Sequence, residues 1–411
     1  MVVRSRKLFY SLFINDLISD FGDTVYYLAL MNYVLLLPNS NLALSIITIS
    51  ETIPLLTKVI IGHLADKIHS KVDVIITTQL IRLLLYIFIG IVISFTPALW
   101  IVIVISVLNV LSDIVGQLEN SLYIPIEMQL IDEEEREHLF ASTQSISSTF
   151  NIIFKLSGAS LVTWISYQTL AFVNAFTFLL CAVVTLLLRS KIRQIVKEDS
   201  ISAHSQDESF ITSLRSSIQT IKKQPSLKEF LIAISVINGL FSIVTPLIVS
   251  TIAQNKNFIF INSATTISLS SVFIATSSIL GNILATTLLR NVSLRYLIQG
   301  ATICLPLLFL AFIHQEVWGC YLLLILLGIL SGNITPKFYG FLMNNLPVEK
   351  VGILTGGIGT IIQLGLMISQ LSFSFLIIYV NTITVSYIYL ILSICLCLLL
   401  LKHHFKTRGE K

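Results

Sequence analysis

Charged residues are scarce in this sequence. Lysine, arginine, aspartate and glutamate make up 12% of the 411 residues, whereas 55% are hydrophobic, and the mean hydropathy is +0.88. Soluble globular domains carry about twice that share of charge. The composition therefore excludes an ordinary water-soluble protein and indicates a chain that lies mostly within a lipid bilayer.

The motifs of several enzyme classes are missing as well. The sequence has no Gly-x-x-x-x-Gly-Lys-Ser/Thr phosphate loop, no His-Glu-x-x-His zinc motif and no Gly-x-Ser-x-Gly nucleophile turn. Its five cysteines form no Cys-x-x-Cys pair, and its seven histidines do not cluster. We therefore predict that the protein is not an enzyme and has no catalytic residue, no cofactor and no metal site. The basic residues are scattered and form no stripe with interleaved aromatics, so no nucleic acid partner is predicted.

Long apolar runs are present instead. At a rise of about 1.5 Å per residue, some 20 apolar residues cross a bilayer core of about 30 Å. Twelve such runs can be placed along the chain, at Leu8–Leu37, Leu42–Ile61, Val72–Ile93, Ala98–Tyr123, Leu139–Ile165, Thr169–Leu188, Glu229–Ala253, Ala264–Leu289, Leu294–Ile313, Trp318–Asn344, Val351–Val380 and Val385–Leu401. The sequence predicts an all-α polytopic membrane protein with twelve transmembrane helices.

The polar segments divide these runs into two sets of six. We predict an N-terminal six-helix bundle at 1–189, a cytoplasmic linker at 190–227 and a C-terminal six-helix bundle at 228–411. Placing both termini and alternate loops in the cytoplasm assigns nearly all of the 26 lysines and arginines to that side, as the positive-inside rule requires. Two six-helix pseudo-repeats around a central cavity are expected from this arrangement.

The loop between the second and third runs carries the most specific motif. It reads Gly62-His63-Leu64-Ala65-Asp66-Lys67-Ile68-His69-Ser70-Lys71. Gly62, Asp66, Lys67 and Lys71 resemble the loop between the second and third helices of the major facilitator superfamily. His69 and Ser70 depart from that pattern, where the family usually has glycine and a basic residue. The resemblance implies a gating loop in which Asp66 docks on the N-terminal end of the eleventh helix.

Other segments resemble one branch of the same superfamily, the macrolide-efflux and enterobactin-exporter-like proteins. They are Ser19-Asp20-Phe21-Gly22-Asp23, Arg82, the 171–178 stretch and the 346–352 stretch. This resemblance implies multidrug or siderophore efflux by a proton antiporter, with each chain working as a monomer in the cell membrane. In the fifth run Gly158 is present, but the proline that such exporters often carry beside it is not.

Ionisable residues inside the runs need an explanation, because each costs at least about 2.5 kcal/mol to insert. Asp16, Asp20 and Asp23 are spaced to lie on one helical face. In an antiparallel hairpin of the first two runs, Asp16 lies at the depth of Lys58, and Asp23 at the depth of Glu51. We expect an Asp16–Lys58 ion pair near the cytoplasm. Asp23 and Glu51 are the predicted proton-coupling pair, because two neighbouring carboxylates in a poorly hydrated site cannot both ionise cheaply.

Further residues are candidates for the cavity, for ion pairs or for helix packing. Lys155 is expected to pair with an acid or to meet an anionic substrate, Arg82 to snorkel or contact the Asp66 loop, and Lys337 to lie in a bent run. Asp113 and Glu119 are the acids of the fourth run. Gly158, Gly352, Gly356 and Gly357 are expected to permit close helix packing.

Two other functions remain open from the sequence. A uniporter, an importer or a carrier of lipid-like molecules would use the same fold. A membrane receptor or scaffold would retain the fold without transport, although it would not need the insertion cost of buried carboxylates. A collapsed pocket would favour the scaffold. The small-molecule substrate is not readable, since macrolides, siderophores, peptides and lipids all fit.

Overall fold

The computed structural model describes residues 5–66, 68–131, 133–195, 225–345 and 351–408. Within these residues it has thirteen α-helices, two short 3-10 segments and no strand, which confirms the all-α prediction. The α-helices are α1 (Arg6–Tyr33), α2 (Ser40–Asp66), α3 (Lys71–Val92), α4 (Leu99–Leu130), α5 (Glu133–Trp164), α6 (Tyr167–Ile195), α7 (Pro225–Ser242), α8 (Val244–Gln254), α9 (Ser263–Thr286), α10 (Leu294–Ile313), α11 (Val317–Asn345), α12 (Val351–Tyr379) and α13 (Thr382–Arg408). In the described part of the chain, nine spans are long and apolar enough to cross a membrane, counting α7 with α8 as one.

The predicted seventh span is present at Leu227–Gln254, where a turn at Ile243 divides it into two helices. Helix α7 ends at Ser242, and α8 starts at Val244. Proline has no backbone N–H, and its ring clashes with the carbonyl four residues earlier. Pro246 lies four residues after Ser242, so this clash contributes to the break at the end of α7. At the other end of the predicted linker, α6 continues to Ile195, and residues 196–224 lie outside the described part.

The chain divides into two compact units, Met1–Asp207 and Glu208–Lys411. In the first unit α2 packs on α4, α3 on α4 and α6, and α1 on α5 and α6. In the second unit α9 packs on α11, α10 on α11 and α13, and α7 on α12. Most pairings of the first unit thus recur six spans later in the second. In the first unit a buried core cluster joins α1, α3, α4 and α6 through Phe9, Ile75, Ile126 and Ile192.

Close helix contact in the second unit depends on glycine. A Cβ atom added at Gly332 of α11 would lie 2.1 Å from the backbone oxygen of Ser278 in α9. In the first unit a Cβ at Gly158 would lie 2.7 Å from a methyl group of Leu28, so α5 approaches α1 there. Gly352 and its two predicted partners, Gly356 and Gly357, belong to α12, but their surroundings are not among the described features.

We expect Gly332→Ala to destabilise the protein by about 1–3 kcal/mol, the usual cost of overpacking, because a backbone oxygen cannot move aside locally. Gly340→Ala is the matched control. It lies on the same helix with no atom within 4 Å of the added Cβ among the described residues. Thermal unfolding in detergent should show a lower midpoint for Gly332→Ala alone. Equal midpoints for the two variants would contradict the packing.

Candidate functional site

One face of α1 carries the three aspartates of the first predicted span. Asp16, Asp20 and Asp23 all line a cavity of about 290 Å³ in the first unit. Helical periodicity explains this, because residues three and four apart stack on one face. The opposite wall is formed by α2, α3 and α4, which contribute Glu51, Arg82 and Asp113 among others.

Arg82 connects α1, α3 and α4 from a buried position. Its side chain is 7% exposed, and Nη2 lies 2.8 Å from Oδ2 of Asp23, while Nη1 lies 3.9 Å from Oε2 of Glu119. The guanidinium group also stacks 4.0 Å from the ring centre of Phe178. The expectation that Arg82 snorkels is therefore wrong, because its guanidinium group is buried and paired with carboxylates. Its contact with the Asp66 loop remains a prediction, since the side chain of Asp66 lies outside the described features.

Small residues allow this arrangement. A Cβ at Gly116 would lie 3.1 Å from the guanidinium carbon of Arg82, so the glycine makes room for the side chain. A Cβ at Gly22 would lie 2.1 Å from Oδ1 of Asn174. This close approach of α1 to α6 lets the Asn174 amide donate a hydrogen bond of 3.0 Å to Oδ1 of Asp23. Both oxygens of Asp23 are thereby held.

Glu51 and Asp113 meet at a single amide group. Nδ2 of Asn109 donates to Oε1 of Glu51 at 2.9 Å and to Oδ2 of Asp113 at 3.2 Å, and Oδ1 of Asn109 accepts from the hydroxyl of Tyr86 at 3.0 Å. The arrangement brings two carboxylates from α2 and α4 close together. Among the described residues neither has a lysine or arginine nitrogen within 4 Å.

A second cavity of about 260 Å³ adjoins the first. Both cavities are lined by Asp23, Glu51 and Asp113, so these three carboxylates form their common wall. Most other lining residues of the second cavity are aromatic or neutral, namely Thr24, Tyr26, Tyr27, Leu30, Tyr86 and Asn109. Lys155 of α5 also lines it, and no carboxylate lies within 4 Å of its ammonium in the described part of the chain.

Glu119 is buried near Arg82 and lines neither of the two cavities. It is 5% exposed, and Oε1 accepts a hydrogen bond of 2.8 Å from Gln79, which also donates to the hydroxyl of Tyr123 at 2.9 Å. Asn15 donates to the same hydroxyl at 3.2 Å. These hydrogen bonds connect buried polar side chains of α1, α3 and α4, and Glu119 links them to Arg82.

Two further basic candidates, Lys71 and Lys337, donate hydrogen bonds to backbone carbonyls in turns. Lys71 is 1% exposed, and its ammonium donates to the carbonyl oxygens of Ala65 and Ile68, which closes the turn between α2 and α3. Lys337 donates to the carbonyls of Leu289 and Val292 in the turn between α9 and α10, and no carboxylate lies within 4 Å of its ammonium in the described part of the chain.

The other predicted loop and pairing residues are less informative. Gly62 has no atom within 4 Å of an added Cβ in the described part of its unit, so it makes no close packing contact there. The side chains of Lys58 and Asp66, and the whole of Lys67, lie outside the described features. The Asp16–Lys58 pair and the docking of Asp66 remain predictions.

Sequence reasoning missed the neutral residues that organise the site. Asn109, Tyr86 and Asn174 each hydrogen-bond to a cavity carboxylate or to its partner. A signal was present, because Asn109 and Asp113 are four residues apart, as are Arg82 and Tyr86, and such pairs share a helical face. No group of histidine, cysteine, aspartate or glutamate in the described residues is arranged to hold a metal ion.

The chain is similar to known proteins in both its sequence profile and its fold. A profile described as the Major Facilitator Superfamily matches residues 6–370. No curated protein sequence matches the chain. Among solved structures, the nucleoside transporter NupG is 14% identical with a TM-score of 0.71, covering 96% of this chain and 98% of that one.

Two further transporter structures are similar over nearly their whole length. A bacterial homologue of the iron transporter ferroportin, in an inward-facing state, is 13% identical with a TM-score of 0.69, covering 96% of this chain and 98% of that one. A peptide transporter POT with bound alafosfalin is 14% identical with a TM-score of 0.68, covering 97% and 96%. At these identities the likeness concerns the fold. The chain is thus a multi-pass membrane transporter rather than an enzyme, and it belongs to the Major Facilitator Superfamily.

Proposed function

We propose that the protein is a proton-coupled secondary transporter that exports a small amphipathic molecule by alternating access. The observation that supports this most is the pair of carboxylates at one amide. Glu51 and Asp113 both accept from Nδ2 of Asn109, and both line the two cavities. Two like charges this close, away from bulk water, repel, and a proton on either one removes the repulsion.

The same geometry assigns a different role to Asp23. Its two oxygens accept from Arg82 at 2.8 Å and Asn174 at 3.0 Å, so its negative charge is already balanced and hydrogen-bonded. We infer that Glu51 and Asp113 exchange the coupling proton, and that Asp23 holds Arg82 in place beside them. In the transport cycle the pair would take up a proton when open to the outside and release it when open to the cytoplasm.

The direction of transport, the efflux branch and the location of the termini are part of the same proposal. They are supported by the loop at Gly62–Lys71, by the segments that resemble macrolide and enterobactin exporters, and by the basic residues on one side of the chain. The proteins of similar structure carry nucleosides, iron or peptides according to their names, so none of them indicates the substrate. Action as a monomer in the cell membrane follows by resemblance to the family.

The open cavities weigh against a receptor or scaffold that has lost transport. A scaffold gains nothing from carboxylates inside its helices, and a collapsed pocket would be expected. Here Asp23, Glu51 and Asp113 face cavity space of about 260 Å³ and 290 Å³. A uniporter or importer with the same fold remains the main alternative, and its distinguishing property is movement of substrate without protons.

We expect purified protein in liposomes to couple proton movement to substrate movement. With an imposed pH gradient, a panel of amphipathic drugs should include at least one that drives proton flux across the membrane, measured with a trapped pH-sensitive dye. Protein-free liposomes provide the control for passive proton leak. Substrate movement without proton flux would establish a uniporter and overturn the coupling. Saturable binding without any movement would favour the receptor.

A further inference from the structure

One residue that lines the second cavity, Tyr26, has a buried hydroxyl without a hydrogen-bond partner in the described part of the chain. Tyr26 of α1 is 2% exposed and lines this cavity, and its hydroxyl has no hydrogen-bond partner among the described residues. Its ring packs edge-on against Tyr86, with ring centres 4.9 Å apart, so the side chain is fixed. A buried hydroxyl without a partner costs free energy, and such a group in a cavity wall is a site for a ligand atom.

Acidic side chains outnumber basic ones in the lining of the two cavities. Together they are lined by five carboxylates and by two cationic side chains, Arg82 and Lys155. Arg82 is occupied by Asp23 and Glu119, and no carboxylate lies within 4 Å of Lys155 in the described part of the chain. Glu51 and Asp113 are therefore acceptors with no lysine or arginine nitrogen within 4 Å among the described residues. They lie on the same cavity wall as the rings of Tyr26, Tyr27 and Tyr86.

We propose that this cavity binds the ammonium group of an amphipathic amine. Glu51 and Asp113 accept hydrogen bonds from its N–H groups, the hydroxyl oxygen of Tyr26 accepts a third, and the tyrosine rings with Leu30 contact its apolar part. Carboxylates form the strong charge-assisted bonds that an ammonium needs, and aromatic faces attract cations. This names the substrate class of the transporter and rests on the function proposed above.

Equilibrium dialysis of the full chain in detergent tests the proposal with three probes of one shape. These are 2-(1-naphthyl)ethylamine, which is cationic at neutral pH, 2-(1-naphthyl)ethanol, which is neutral, and 1-naphthylacetate, which is anionic. We expect saturable binding of the amine and at least about tenfold weaker binding of the other two, as the loss of a charged hydrogen bond implies. Equal binding of all three, stronger binding of the anion or no binding of the amine would overturn the proposal.

Two variants locate the bound ammonium. Asp113→Asn should weaken amine binding about tenfold or more, while Asp73→Asn, the same change at an ion pair outside both cavities, should leave it unchanged. Tyr26→Phe should weaken binding about threefold to tenfold. Because it removes an unpaired buried hydroxyl, it should not lower the thermal stability of the ligand-free protein. Unchanged amine affinity in both site variants would place any binding elsewhere and overturn the proposal.

The binding measurement needs no proton gradient, so it is separate from the test of coupling. Amine binding without amine-driven proton flux in liposomes would retain the site and refute proton coupling. Proton flux driven by a neutral or anionic drug, together with no amine binding, would retain the coupling and refute the ammonium site.

Discussion

Replacing Arg82 with methionine is expected to lower the free energy of unfolding by about 3 kcal/mol. The guanidinium group is the cationic partner of Asp23 at 2.8 Å and of Glu119 at 3.9 Å, and it also donates to Ser112 at 3.2 Å. Removing one member of a buried ion pair leaves an uncompensated charge, which typically costs about 3–5 kcal/mol. The lower end applies here because the Asp23 side chain is 36% exposed and lines both cavities.

The charge argument predicts a specific rescue. Combining Arg82→Met with Asp23→Asn and Glu119→Gln should recover most of the lost stability, because no unpaired charge remains. Arg189→Met is the matched control at a half-exposed pair with Asp73, where solvent screens the charges and little loss of stability is expected. Thermal unfolding in detergent compares the stability of Arg82→Met, the triple variant and Arg189→Met. If the triple variant is no more stable than Arg82→Met, then loss of packing around Phe178, and not unpaired charge, is the cause.

The hairpin argument shows what sequence can predict about the site. Counting from the turn between α1 and α2 gives the relative depth of residues, and Asp23 and Glu51 do line the same cavities. The same counting for α3 and α4 would have placed Arg82 level with Ser112, to which it donates. Depth therefore follows from the sequence wherever two helices share a short turn.

The rotation of each helix about its axis, and the contacts between helices distant in the sequence, cannot be predicted by counting from a turn. Asn174 donates to Asp23 across 151 residues of chain, and α1 and α6 approach each other closely at Gly22. The rule for membrane arginines favoured snorkelling for Arg82, since its position was known only from the span ends. In the structure Arg82 instead pairs with the buried carboxylates of Asp23 and Glu119.

Most helix ends next to a polar turn were predicted closely, but the polar segment between the fourth and fifth runs was wrongly predicted as a loop, because α4 continues to Leu130 and α5 begins at Glu133. An internal break was not predicted at all. Proline and glycine are common in membrane helices, so Pro246 did not by itself indicate a break. Pro54, Pro125, Pro306 and Pro336 lie within α2, α4, α10 and α11, which continue past them. The local sequence does not distinguish the proline that ends α7 from those that a continuous helix tolerates.

Neutralising the carboxylate pair is the change expected to affect transport most. Glu51→Gln and Asp113→Asn each mimic a permanently protonated member, and the amide oxygen that replaces the carboxylate can still accept from Asn109. The structure around the Asn109 amide should therefore be retained, while the substituted side chain can no longer bind and release a proton. Substrate and proton binding are linked through a coupling free energy, commonly about 5–150-fold in affinity, which disappears with the titrating group.

We expect substrate-driven proton flux in liposomes to fall at least about tenfold in either variant, and transport to become insensitive to pH across the neutral range. Glu127→Gln is the matched control, since it makes the same change on α4 at a residue that lines neither cavity. Its flux should equal that of the unaltered protein.

The role assigned to Asp23 gives the opposite expectation for Asp23→Asn. This variant should have lower thermal stability, because Arg82 loses its partner, while transport by the folded protein should still depend on pH. If Asp23→Asn abolishes proton flux and Glu51→Gln with Asp113→Asn does not, the coupling proton resides on Asp23, and the shared amide of Asn109 is only a structural contact.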